Sequence, residues 1–280
     1  MRGGEKCLEA FCELYPGADL YTLFHFPGQM SPAIEGMNIV PSWLNRLPFR
    51  KKFYRYYLPL FPSATRSFNL DAYDLVLSSS HCAAKGVMTQ PSTLHICYCY
   101  TPMRYIWDMY HTYFAPERSS WPARLAMATC LNRLRSWDLM TSRYPDRYIA
   151  ISRYVAKRIE KYYRLPSDVI YPPVDCERFA GQHPDGGYYL IVSAFVPYKR
   201  LDLAVQAFNR LGYPLKIVGS GPDLPRVRRM AGPNIEFLDW VGDDKLTGII
   251  GSCKAFVQVA EEEFGIAPLE AQAAGRPVIA

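Results

Sequence analysis

Carboxylates cluster beside a glycine in the stretch EEEFG at 261–265, and Glu270 follows in E-x7-E spacing from Glu262. A strand-like run precedes this stretch and a helical pattern follows it, so Gly265 is expected near a helix N-terminus. Free backbone N–H groups there suit a phosphate, and a carboxylate one to two turns further accepts hydrogen bonds from sugar hydroxyls. Acidic residues also cap helices in any protein, but three adjacent glutamates exceed what a cap needs. The pattern indicates a site for phosphate and hydroxyl groups.

The second half of the sequence alternates between strand and helix patterns. YYLIVSAF is typical of a buried parallel strand, and LDLAVQAFNRL then places Leu201, Ala204, Val205 and Phe208 on one helix face. LKIVG, IEFL, AFVQVA and PVIA continue the strands, with helices expected near 243–252 and 265–275. Such βα repetition predicts a parallel sheet covered by helices, with ligands beyond the carboxyl ends of its strands.

The first half of the sequence also alternates between strand and helix patterns, but less regularly. Strands are predicted at YDLVLSSS, LHICYCY, DRYIAIS and DVIYPP, and helices at EKCLEAFCELY, 118–142 and SRYVAKRIEKYYR. YPPVDCERFAGQHPDGG, rich in proline and glycine, is typical of a connector. We therefore expect two α/β domains, 1–180 and 181–280, that face each other across a cleft.

Composition narrows the class of protein. The 280 residues are 49% hydrophobic and 21% charged, as in a globular protein with a buried core. The first residues carry charge where a signal peptide would be apolar, and no long apolar run is present, so a cytoplasmic protein is expected. The eight cysteines lack the spacing of a zinc site or disulfide framework. Reduced, mostly buried thiols are expected.

The positive charge, +6 overall, is concentrated early in the chain. No acidic residue stands between Glu35 and Asp71, and RLPFRKKFYRYYLPLFP interleaves basic and aromatic side chains. Basic groups meet anionic lipid headgroups while aromatic rings occupy the interface, so 46–55 is a candidate for membrane contact. The alternative is a solvated helix whose aromatic side packs on its own domain. No nucleic-acid motif accompanies the segment, and no nucleic-acid partner is expected.

The sequence resembles a known family. EEEFGIAPLE looks like the E-x7-E signature of the retaining family 4 glycosyltransferases, which have the GT-B fold. AFVPYKRLDLAVQAFNRLG, VGSGPDL, GPNIEFLDW and EAQAAGRPVIA follow the family's order and spacing. SSSHCAAKGV, CYCYTPMRYIWD and YPPVDCERF resemble the subgroup that builds bacterial surface polysaccharides, often as mannosyltransferases.

The resemblance implies roles on the donor side. Glu262 would contact hydroxyls of the donor sugar, Glu270 would contact the ribose, and Lys199 would neutralise the departing diphosphate. The family often has an arginine where this chain has Ala194, and Arg200 is the candidate for the second charge. Further donor contacts are expected from Gly3, Gly4, Gly219, Phe264, Gly265 and Ile266.

Two residues of the first half are candidates for roles on the acceptor side. His81, at the end of a predicted strand, is a catalytic candidate that would hydrogen-bond the donor sugar or the acceptor. Arg104 is a candidate for an anionic acceptor or phosphate. Many relatives have histidine where this chain has Tyr100.

The implied reaction is retaining transfer of a hexose, with mannose from GDP-mannose as the expected donor, to a lipid-linked saccharide. The reaction resembles front-face transfer and requires neither a metal nor a further cofactor. The enzyme would work as a peripheral protein on the inner face of the cell membrane. One alternative is a non-catalytic nucleotide-sugar-binding or membrane-associated accessory protein of the same fold. A GT-B sugar epimerase is another, although it would lack the E-x7-E arrangement.

The ends of the sequence also carry an expectation. Relatives complete a first strand before the position of MRGGEK and continue after PVIA. The interpretation is that both sheets are incomplete and that the 280 residues have little transferase activity as they stand.

Overall fold

The computed structural model describes residues 3–116, 120–181 and 183–280, without the side chain of Arg55. It divides into two compact units, the first ending at Pro173 and the second beginning at Val174. This boundary lies earlier than the predicted one between 180 and 181. The reason is Phe179, which is buried in the core of the second unit.

The first unit contains two parallel sheets. The strands β1 and β2 form a pair, and the other four are ordered β3-β4-β5-β6. The six strands are β1 Asp19–Thr22, β2 Asn38–Pro41, β3 Leu75–Ser80, β4 Leu94–Cys99, β5 Arg147–Ala150 and β6 Asp168–Val169. The strands β3 to β6 lie within the segments predicted from alternation and apolar runs. The β1–β2 pair was not predicted, because four-residue strands with polar ends leave no clear period.

The described residues of this unit also form seven α-helices. They are α1 Gly3–Leu14, α2 Pro32–Glu35, α3 Arg50–Phe53, α4 Phe61–Arg66, α5 Tyr110–Tyr113, α6 Trp121–Thr141 and α7 Arg153–Tyr163. Short 3-10 helices occupy Trp43–Arg46, Tyr54–Leu60 and Ala84–Gly86. Residues 46–62, here called the basic aromatic segment, therefore run over four short helical pieces rather than one helix. Phe49 lies in the left-handed region at φ 54°. Residues 118 and 119 of the predicted helix 118–142 lie outside the described residues.

A buried ion pair lies in the core of the first unit. Lys85 Nζ donates to Asp138 Oδ1 at 2.6 Å and to Thr141 Oγ1 at 3.3 Å. The second carboxylate oxygen of Asp138 accepts from Trp107 Nε1 at 2.8 Å and from the Tyr163 hydroxyl at 3.0 Å. Both charges are almost fully buried. The cluster joins α6, α7 and the segments that follow β3 and β4.

The second unit is a single five-stranded parallel sheet with four helices. Its elements are β7 Tyr189–Val192, α8 Leu201–Leu211, β8 Leu215–Val218, α9 Leu224–Met230, β9 Ile235–Leu238, α10 Asp243–Gly251, β10 Ala255–Val257, α11 Ile266–Ala273 and β11 Val278–Ile279. The 3-10 helix Glu177–Phe179 precedes them. Leu201, Ala204, Val205 and Phe208 are all buried, which confirms the predicted face of α8.

The strand order of this sheet is β11-β10-β7-β8-β9. The chain moves outward from β7 through β8 to β9, and then crosses to the other side of β7 for β10 and β11. Such a reversal places the loops after β7 and β10 next to each other and directed apart at the carboxyl edge. We call the carboxyl edge between β7 and β10 the switch point. The candidate residues of the second unit are expected there.

Candidate functional site

Lys199 reaches the switch point from the loop that follows β7. Pro197 begins a single 3-10 turn that ends at Lys199, and Arg200 takes the left-handed conformation at φ 50° before α8 starts. A proline has its φ already fixed for such a turn, so the local sequence favours this geometry. The Lys199 side chain is mostly buried, whereas that of Arg200 is half-exposed and lies 3.4 Å from Asp202 Oδ1.

Glu262 approaches the same point from the loop after β10. Its carboxylate forms an ion pair with the Lys199 ammonium through Oε1. Gln258 Nε2 lies 3.4 Å from the same oxygen and donates to the Ala260 carbonyl at 3.0 Å. The structure thus brings together the two residues to which the family resemblance gives roles at the donor sugar and at its diphosphate, and those roles stay predictions. Sequence reasoning missed Gln258, although a polar residue directly after a buried strand is a usable signal.

Gly265 begins α11 beside this ion pair. Its φ of 85° is one that L side chains rarely adopt, so the backbone conformation favours glycine. An added Cβ would lie 3.5 Å from Pro268 and 3.8 Å from Glu262, which are ordinary contacts. The first-turn N–H groups of Ile266 and Ala267 have no partner within the helix, and Pro268 has no N–H. The positive end of α11 therefore lies next to Glu262.

Glu270 is 5% exposed and lies in the second turn of α11. Phe264 and Ile266 are half-buried at the start of the same helix. A buried carboxylate is costly unless polar groups surround it. The contact of Glu270 with a ribose stays a prediction.

Gly219 has a packing role that the sequence did not predict. It follows β8 at φ 140°, and an added Cβ would lie 2.0 Å from the Ser193 carbonyl oxygen. Gly221 is similar, with an added Cβ 2.4 Å from the Phe195 oxygen. Phe195 also donates its N–H to the Ser220 carbonyl at 2.9 Å. Both glycines allow the loop after β8 to hold the loop that carries Lys199, and the donor contact of Gly219 stays a prediction.

The first unit places two further candidates at one sheet edge. His81 directly follows β3 and Arg104 lies beyond β4, its parallel neighbour. His81 is exposed to solvent. Desolvation by the nearby protein, and then the charge of Arg104, lower the pKa of the His81 imidazole. A neutral His81 near pH 7 can donate or accept a hydrogen bond.

Gly3 and Gly4 are the first residues of α1. The Tyr100 hydroxyl donates to the Gly4 carbonyl at 3.0 Å and lies 2.9 Å from Ser79 Oγ. An added Cβ at Gly4 would lie 3.7 Å from the Tyr100 ring, an ordinary contact, so local packing does not require glycine. The tyrosine that stands where many relatives have histidine is therefore engaged with α1. The predicted phosphate contact of the two glycines stays a prediction.

The basic aromatic segment presents part of its side chains to solvent. Arg46, Lys51 and Lys52 are exposed together with Phe49 and Tyr56. Tyr54, Tyr57 and Phe61 are half-buried, and Tyr57 stacks on Phe24 with ring centres 6.4 Å apart. Part of the segment thus packs on its own unit, and lipid contact stays a prediction. Among the described residues, no helix is long and apolar enough to cross a membrane.

Family comparisons agree with the division of the chain. Residues 17–178 match the family described as Glycosyltransferase Family 4, and residues 187–280 match the family described as Glycosyl transferases group 1. The first match alone covers more than half of the chain.

Curated relatives give weaker matches over part of the chain. The O-antigen chain mannosyltransferase C of Escherichia coli is 31% identical over 157 residues, which are 52% of this chain and 42% of the relative. An uncharacterized glycosyltransferase of Methanocaldococcus jannaschii is 27% identical over 140 residues, which are 48% of this chain and 40% of the relative. The aligned part spans less than half the length of either relative.

Solved structures show the fold. Sucrose-phosphate synthase from Thermosynechococcus elongatus superposes with a TM-score of 0.63 at 17% identity, over 97% of this chain and 73% of that one. AviGT4, a glycosyltransferase involved in avilamycin A biosynthesis, gives 0.53 at 17% identity, over 99% and 70%. The parallel-sheet α/β fold is of the GT-B type. Because residues 17–178, more than half of the chain, match this family, the chain belongs to the glycosyltransferases of family 4.

Proposed function

We propose that the protein is a retaining glycosyltransferase that moves a hexose from a nucleotide sugar to a lipid-linked saccharide. The observation that carries the proposal is the Lys199–Glu262 ion pair at the switch point, beside the start of α11. Likeness to the E. coli O-antigen chain mannosyltransferase supports mannose, from GDP-mannose, and a place in cell-surface polysaccharide synthesis.

The chemistry follows from the charges at this point. A departing nucleotide diphosphate gains negative charge as the glycosidic bond breaks, and a buried ammonium together with helix N–H groups stabilises that charge. Glu262 holds the ammonium at the crevice and accepts hydrogen bonds from sugar hydroxyls. These side chains supply the stabilisation, so the proposed mechanism includes no metal. No residue is assigned as a covalent nucleophile.

A non-catalytic protein that binds nucleotide sugars is the second candidate. Ala194, which is exposed and uncharged at the position where the family often has arginine, favours it. The two functions differ in turnover rather than in donor binding.

The proposal is tested with a panel of GDP, UDP and ADP sugars. Calorimetric titration measures affinity, and transfer to a lipid-linked acceptor is followed by NMR of the product's anomeric configuration. We expect GDP-mannose to bind best and the α configuration of the donor to be kept. An inverted product would contradict the retaining mechanism, and binding without transfer or hydrolysis would favour the non-catalytic protein.

Glu270→Ala is expected to weaken donor binding. A ribose hydroxyl would lose a charged acceptor, which costs roughly 1.5 to 3 kcal/mol, about tenfold to a hundredfold in affinity. Titration of GDP-mannose measures the change, and Glu236→Ala, at a more exposed glutamate on β9, is the control. Unchanged affinity in a folded Glu270→Ala variant would remove Glu270 from the site.

The segment 46–55 is proposed to contact anionic lipid at the inner face of the cell membrane. Replacing Arg46, Lys51 and Lys52 with Gln should weaken binding to anionic vesicles by about 1 kcal/mol for each charge. Three such charges correspond to roughly a hundredfold in partition. Vesicle sedimentation measures the change.

The control for this experiment replaces Arg210, Lys245 and Lys254, three exposed cations of the second unit, with Gln. An equal loss in the control would indicate a general charge effect. Equal binding of the unmodified protein to neutral and anionic vesicles would contradict the proposed lipid contact.

A further inference from the structure

The long helix α6 is apolar on two opposite sides. One side is buried and contributes Met127, Leu134 and Trp137 to a core of the first unit. At 100° per residue, Trp121, Leu125 and Leu139 fall on the other side, within about 40° of one another. A surface helix normally turns a polar face to solvent, so large apolar side chains on the exposed side of α6 are unusual. They mark this side of the helix as a candidate contact surface.

We call Trp121, Leu125 and Leu139 the α6 stripe. Their side chains are 72%, 57% and 44% exposed. Ala128 lies on the same side and is exposed as well. Asn132 lies between Leu125 and Leu139 on this side, so the contiguous apolar part of the stripe is formed by Trp121, Leu125 and Ala128. Contiguous exposed apolar side chains, rather than single scattered ones, mark a contact surface.

Cationic side chains border the stripe. Arg124 on one side and Arg133 on the other are both exposed. The single acidic residue of α6, a helix that the structure describes throughout, is Asp138, which is buried and paired with Lys85. The exposed side of the helix thus combines an indole, aliphatic groups and positive charge. This combination is typical of helices that lie in the plane of an anionic lipid surface.

We propose that α6 is an interfacial helix that inserts Trp121 and Leu125 into an anionic bilayer. Lipid fits better than a nucleic acid, because leucine neither stacks on bases nor binds phosphate. The inference rests on the proposed membrane association and adds a second element to it. Leu58 and Phe61, at the end of the basic aromatic segment, pack against the same core as α6. The segment and α6 thus share a core, on the side of α6 opposite the stripe.

The test measures sedimentation of the whole protein with vesicles of phosphatidylcholine, alone or with phosphatidylglycerol. Trp121→Ser combined with Leu125→Ser is expected to reduce partition to the anionic vesicles at least tenfold. Trp240→Ser combined with Leu211→Ser is the matched control, because these side chains are 71% and 57% exposed. Circular dichroism and thermal unfolding check that both variants fold.

A second measurement locates Trp121 directly. Lipids brominated in their acyl chains quench tryptophans that enter the bilayer, and we expect the quenching to fall in Trp121→Phe and to remain in Trp240→Phe. Unchanged partition and quenching in the Trp121 variants would overturn the inference. Loss of a dimer by sedimentation velocity, or of nucleic-acid binding, without a change in vesicle binding would assign the stripe to another partner.

These outcomes are separate from those that test the proposed function. If the α6 variant binds vesicles normally while the Arg46, Lys51 and Lys52 variant does not, the α6 inference fails and the other membrane contact stands. Donor hydrolysis in the absence of vesicles reports on the transferase without involving either surface.

Discussion

Lys199→Met is expected to lower turnover by about two to three orders of magnitude, the loss typical of removing one group that stabilises charge in a transition state. The Lys199 side chain is mostly buried, and its ammonium forms an ion pair with Glu262. Affinity for the nucleotide sugar should fall less than turnover, because negative charge grows as the diphosphate departs. Release of nucleotide diphosphate, coupled to a colour reaction, measures the rate.

Lys245→Met is the control for this substitution, since it removes an exposed lysine from α10. Its turnover should equal that of the unmodified protein. If Lys199→Met keeps full turnover, the ion pair at the switch point has a structural role only, and the proposed mechanism is wrong. If both variants lose activity equally, the effect belongs to the stability of the second unit.

Lys85→Met is expected to destabilise the protein by about 3 to 5 kcal/mol, because the Asp138 charge would stay buried without its partner. Denaturant unfolding measures the change. Glu236→Gln breaks a partly exposed pair with Lys216 at 3.4 Å and should cost about 0 to 1 kcal/mol. The contrast separates the effect of burial from that of an ion pair as such.

A double variant checks the cause of this loss. Lys85→Met with Asp138→Asn leaves no unpaired charge, and the amide oxygen still accepts hydrogen bonds from Trp107 and Tyr163. The double variant should therefore be more stable than Lys85→Met alone. A double variant that is no more stable than Lys85→Met would show that the unpaired carboxylate does not determine the cost.

The elements of the second unit were predictable because each had a clear period. The face of α8 formed by Leu201, Val205 and Phe208 is buried as the spacing indicated. The strand predicted at YYLIVSAF is shorter in the structure, since pairing ends at Val192 and the chain turns into the Lys199 loop. Periodicity locates buried residues well, but it does not show where a strand leaves its sheet.

The buried ion pair of the first unit was not predictable in the same way. Lys85 follows a strand in SSSHCAAKGV, where a lysine is usually solvated, and its partner lies far along the chain. A signal existed in α6, because Asp138 stands among Leu134, Trp137 and Thr141 on the apolar face. A charge on a face that must be buried requires a partner, although the sequence does not say which one.

For the candidate site, the sequence named residues but not the contacts between them. The E-x7-E spacing singled out Glu262 and Glu270, and the resemblance added Lys199. Strand order decides which loops meet, and the sequence does not give the crossing from β9 back to β10. The packing role of Gly219 was hidden for the same reason, since it depends on a neighbouring loop.

The junction between β7 and β10 has a consequence for ligand-linked folding. Only two residue pairs join these strands, Tyr189 with Ala255 and Leu190 with Phe256, whereas β7 and β8 share four. Closing this junction also joins segments separated by about 60 residues, at a cost in loop entropy. Local opening there would part Glu262 from Lys199 while β7, β8 and β9 stay paired. A donor bound across the junction would favour its closed form by mass action, so amide exchange in 255–273 would slow before any sugar is transferred.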